Sequence, residues 1–166
     1  MRRFLDRLYG AAGLLAGLCT IGVLVSVLAA IIARQVGLNI PGTDAYAGYF
    51  MAAAGFLALA STFKHGEHIR VTLLLNALSA PGHRRLDIFA LCVGAILAAA
   101  FAWFSVKLAH DSWLFNDIST ANDATPLWIP QLTMAAGTIL FFIALLDELV
   151  RRVRGQGFAK SQQIHE

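Results

Sequence analysis

Residues 65–68 read His65-Gly66-Glu67-His68. Two imidazoles and a carboxylate are the donor types of a metal centre or a proton relay. The spacing does not support either: a glycine separates the donors, and no third ligand stands at a matching distance along the chain. A membrane haem needs histidines facing one another inside a helical bundle. His65, His68, His83 and His110 all fall outside the apolar runs or at their edges. Cys19 and Cys92 are single and form no C-x-x-C pair, so they read as small apolar residues and not as a redox couple. No nucleophile–base–acid arrangement and no phosphate-cradling loop is present. The expectation is a protein that is not an enzyme and carries no metal or cofactor.

The elements around these residues explain the missing chemistry. Of 166 residues, 58% are hydrophobic and 14% charged, against about 25% charged in a soluble domain. Charge-free apolar runs cover residues 8–33, 45–63, 88–106 and 126–146. Each approaches or exceeds the roughly 20 residues that carry a helix across a bilayer. Lipid leaves backbone groups unsatisfied unless the segment is helical, and these runs are too long and uniform for barrel strands. The fold class expected is an all-α integral membrane protein with four transmembrane helices. The first run is longer than a secretory core of about 7–15 residues, so it reads as a retained anchor with Arg2 and Arg3 as topology signals.

Charge sets the orientation. Arg2, Arg3, Arg7, Lys64, Arg70, Arg84, Arg85, Arg151, Arg152, Arg154 and Lys160 share one side, and Arg34 and Lys107 the other. The positive-inside rule then places both termini and the 64–85 segment in the cytoplasm. The formal charge of +3 is thereby an orientation device and needs no nucleic-acid partner. The outer side carries Asp44, Asp111, Asp117 and Asp123.

Within the 64–85 segment, Val71, Leu74, Leu75 and Leu78 follow the i, i+3, i+4, i+7 spacing of one helical face. His68, Thr72, Asn76 and Ser79 form a polar stripe beside it, and Pro81-Gly82 ends the pattern. The length suits an interfacial amphipathic helix over about residues 67–80, between helices 2 and 3. The opposing reading is a partly buried loop with a leucine cluster. Gly13 and Gly17 form a GxxxG, and Gly48 with Ala52 and Gly94 with Ala98 share its spacing, which allows close helix approach in membranes. Asp147 and Glu148 precede Arg151 and Arg152 by four residues each, so helix 4 is expected to run past its apolar run. Residues 1–154 form one membrane domain, and 155–166 a flexible cytoplasmic tail.

Transporters and proton pumps keep ionisable groups inside the membrane or break helices at the midplane. The four runs hold no Asp, Glu, Lys, Arg or His, so a stand-alone coupled transporter or small oligomeric exporter is disfavoured. A membrane anchor subunit of a redox complex is the alternative from another class, and a bound haem or quinone would mark it.

One order of features resembles a known family. Four spans are followed in order by Gly66, His68, Ile69, Arg70 and Val71 after the second, then by an acidic outer loop leading into Pro126-Leu127-Trp128-Ile129-Pro130. This order resembles the small membrane subunit (DctQ-like) of tripartite ATP-independent periplasmic (TRAP) transporters. Thr72 and Asp44-Ala45 depart from it, because relatives often carry acids there. The resemblance implies a non-catalytic small permease subunit in the bacterial inner membrane. It would brace a large sodium-coupled elevator subunit that imports an organic acid, such as a dicarboxylate, delivered by a periplasmic binding protein. It also implies a heterodimer with that large subunit and contact with lipid. Candidate surface or subunit contacts are Lys64, Gly66, His68, Ile69, Arg70, Val71, Leu74, Leu75, Leu78, Arg84 and Arg85. Asp111, Asp117 and Asp123 are candidates for touching the binding protein.

Overall fold

A computed structural model describes residues 2–38, 40–64, 80–121 and 123–154. The chain there is four long helices: α1 (Arg2–Gln35), α2 (Thr43–Lys64), α3 (Ala80–Leu114) and α4 (Trp128–Val153). All four are long and apolar enough to cross a membrane. The interfacial helix expected over 67–80 falls outside the described residues, apart from Ala80, and so does the tail at 155–166. Ala80, Pro81 and Gly82 open α3, where a proline in the first turn has no amide bond to lose.

The helices exceed their apolar runs for identifiable reasons. The third apolar run ends at residue 106, yet α3 continues through residues 107–114. No proline or glycine interrupts them, and Ala109 and Ser112 are buried. They extend a seam of small residues formed by Ala95, Ala98, Ala102 and Ser105, all buried, at the spacing that keeps one helical face turned inward. At α1, 34 helical residues span about 51 Å, longer than a bilayer core of about 30 Å, so the helix tilts or extends beyond the lipid. As expected, α4 runs on through Arg151 and Arg152 to Val153.

The packing order differs from the chain order. α1 packs on α2, α2 on α4, and α4 on α3, so α2 and α4 are central and α1 and α3 flank them. Contact surfaces are built from small side chains. α1 buries Ala12 and Ala16, α2 buries Ala53 and Ala60, and α4 buries Ala135, Gly137, Thr138 and Ala144. Without a hydrophobic drive in lipid, close backbone approach and dispersion supply the association. Two buried hydroxyls are satisfied within their own helices: Thr138 donates to the carbonyls of Met134 and Ala135 at 3.0 Å, and Ser105 to that of Phe101 at 2.8 Å. The flanks hold large exposed apolar residues, Leu24, Val25 and Ile32 on α1 and Ile96, Leu97 and Trp103 on α3.

Candidate functional site

The polar groups of the bundle collect at its two ends. At the end that carries Lys64, four helices meet in a chain of charges. Lys64, the last residue of α2, forms an ion pair with Asp6 of α1. Its ammonium also stands 4.8 Å from the ring centre of Tyr9, a favourable cation–π distance. Tyr9 is buried with Ala60 of α2 and Ala144 of α4. On α4, Arg151 donates to Glu148 at 3.3 Å. Arg152 reaches Asp87 of α3 at 3.2 Å and Glu148 at 3.7 Å. Glu148 is only 6% exposed, and a buried carboxylate holds its charge only where cations and donors surround it. A cavity of about 60 Å³ lies among Tyr9, Phe63, Lys64, Ala144, Asp147, Glu148 and Arg151.

The opposite end is closed by a loop. After Leu114 the chain turns through Asn116 at positive φ. It then pairs Ile118 with Pro126, Ser119 N–H with the Thr125 carbonyl at 2.9 Å, and Leu127 N–H with the Asp117 carbonyl at 3.0 Å. Asp123 packs against the α1–α2 turn at Gly42. Gly42 has a φ of 85°, and a Cβ there would lie 2.7 Å from that of Asp123. Both carboxylate oxygens of Asp123 are shielded from solvent. The Thr125 hydroxyl first, then those of Ser119 and Tyr49, outweigh the cost of burial and hold the Asp123 carboxyl below its usual pKa. Beside this end, Val106, Ala109, His110 and Trp113 of α3 and Trp128, Leu132 and Ile139 of α4 border an open apolar groove of about 440 Å³.

The residues singled out from sequence fall in several places. Lys64 enters the charge chain, and Arg85 is exposed at the start of α3. Gly66, His68, Ile69, Arg70, Val71, Leu74, Leu75 and Leu78 lie outside the described residues, as does the Arg84 side chain. A Cβ on Gly13 would meet the Ser61 hydroxyl at 2.8 Å, and one on Gly94 would meet Leu145 at 3.8 Å. Ala98 is buried. Gly17 and Gly48 face open space, and Ala52 is exposed. Asp111 is half-buried in the last turn of α3, Asp117 is exposed, and Asp123 is half-buried.

Sequence reasoning missed Asp6, Tyr9 and Asp87. The available signal was that acids stood at helix ends otherwise rich in arginine. It also missed Gly137, where a Cβ would come within 2.4 Å of the Phe56 carbonyl oxygen; Thr133 and Phe141, not glycines, stand four residues before and after it.

Among the described residues, no group of three histidine, cysteine, aspartate or glutamate side chains is placed to hold a metal ion. The arrangement can fasten helices to one another at both ends. A family model described as "Tripartite ATP-independent periplasmic transporters, DctQ component" matches residues 23–155, well over half of the chain. No curated protein matches it.

Proposed function

The chain belongs to the DctQ family of TRAP transporters, and from that premise we propose that it is the stationary brace beside the large membrane subunit. As a DctQ component it is a small, non-catalytic permease subunit. In this reading the large subunit carries an organic acid, delivered by a periplasmic binding protein and driven inward by sodium. The present chain keeps that machine's scaffold in register with the bilayer.

The observation that carries the reading is the placement of charge. Ion pairs join α1 to α2 and α3 to α4 at one end, while the flanks between the ends are apolar and exposed. A body fastened at its ends keeps its shape and offers its sides to lipid and to a larger protein. Arg7, Lys64, Arg85, Arg151, Arg152 and Arg154 gather at the fastened end, with Arg34 and Lys107 opposite. By the positive-inside rule that end is cytoplasmic, and the family's periplasmic binding protein supports the bacterial inner membrane as the chain's location. The 67–80 segment then lies on the cytoplasmic surface with Leu74 and Leu75 toward lipid or the large subunit. The loop bearing Asp111, Asp117 and Asp123 faces the binding protein.

Affinity capture of this chain from detergent-solubilised membranes tests the pairing. A multi-span permease several times its size is expected to come with it in equal amount. Recovery as a stable lone protein with its own transport activity contradicts the proposal.

A further inference from the structure

Tyr9 is 2% exposed, and its hydroxyl is fully shielded with no hydrogen-bond partner among the described residues. A buried phenol usually finds a partner, because an unpaired hydroxyl away from water is costly. The ring is held on three sides. Ala60 and Ala144 pack against it from α2 and α4, and the Lys64 ammonium lies over its face. The residue also lines the cavity of about 60 Å³ whose other walls include Lys64, Asp147, Glu148 and Arg151. Such a space exceeds the roughly 10–15 Å³ that a cavity needs to hold one water, and its walls supply the two to four polar partners a buried water needs.

The lining also decides which ligand suits the cavity. Lys64 and Arg151 contribute two positive charges, and Asp147 and Glu148 two negative ones. A site balanced in this way gains little from a bare cation or anion, whereas water can donate to the carboxylates and accept from the cations and the phenol. We infer that the cavity is a built hydration site, in which ordered water joins the Tyr9 hydroxyl of α1 to the charged groups of α4. It gives α1, whose main packing partner is α2, a polar tie to the second central helix.

Radiolytic hydroxyl-radical footprinting of the purified complex with its large subunit, in ¹⁸O-labelled water, tests the inference. Ordered water delivers label to side chains that bulk solvent does not reach. Tyr9 is therefore expected to be labelled at a rate within about threefold of Tyr46, which is 43% exposed. Protection of Tyr9 to background means that the cavity is dry and overturns the inference. The tyrosine Raman doublet, taken as the difference between the native protein and Tyr9→Phe, supplies a second readout. A hydrogen-bonded phenol is expected, and it must stay hydrogen-bonded in Lys64→Met. Loss of the bonded signature in Lys64→Met would assign the partner to the lysine and overturn the water site.

Discussion

Arg152 near the end of α4 lies 3.2 Å from Asp87 near the start of α3 and 3.7 Å from Glu148 one turn back on its own helix. One guanidinium thereby answers two carboxylates on two helices. Its side chain is 18% exposed, that of Asp87 14% and that of Glu148 8%. Water screens such a cluster weakly, so removing one member leaves charge that the surroundings no longer offset.

Arg152→Gln is accordingly expected to destabilise the chain by about 1–3 kcal/mol, read as a lowered thermal midpoint in detergent. Adding Asp87→Asn to that variant should cost much less than Asp87→Asn costs alone. Additive losses would mean that the two residues are not coupled.

Gly137→Ala should destabilise by about 1–3 kcal/mol, because the new methyl meets backbone of α2 and not a flexible side chain. Gly17→Ala and Gly48→Ala face open space and should be neutral or slightly stabilising through helix propensity. Thermal unfolding of the three variants of the isolated chain distinguishes them. Equal losses at all three positions would refute the packing described.

Sequence made the four apolar helices and their approximate limits plain, because apolar length is a direct consequence of crossing lipid. Which glycines meet a neighbour was not legible. Gly13 and Gly17 share one motif, yet only Gly13 stands against α2, since helix rotation depends on partners distant in the chain. The charge chain was hidden for a related reason. Asp147 and Glu148 read as local partners of Arg151 and Arg152, but the ion pair of Arg152 with Asp87 spans two helices that are neighbours only after folding.

Acid should loosen the outer loop through Asp123. Its folded pKa is depressed, so its stabilising contribution is complete at neutral pH and is lost as pH falls through that lowered value. The difference in thermal midpoint between the native chain and Asp123→Asn should be constant from about pH 7 to 5. It should shrink only below the ordinary aspartate range, near 3.9. A difference that vanishes already near pH 6 would show that the carboxyl is not held in its charged form.

Leu74→Lys with Leu75→Lys probes the proposed surface helix, since lysine on its apolar face opposes burial in lipid or against a partner. Reduced recovery of the large subunit with this chain is the expected outcome. Unchanged assembly and uptake would reduce the segment to a tolerant loop.

The brace itself is tested most directly by sodium-driven uptake into proteoliposomes containing the large subunit, the binding protein and an organic acid, with and without this chain. Uptake is expected only when the chain is present, and the chain alone should transport nothing. Full uptake by the large subunit without it, or transport by the chain alone, would contradict the account.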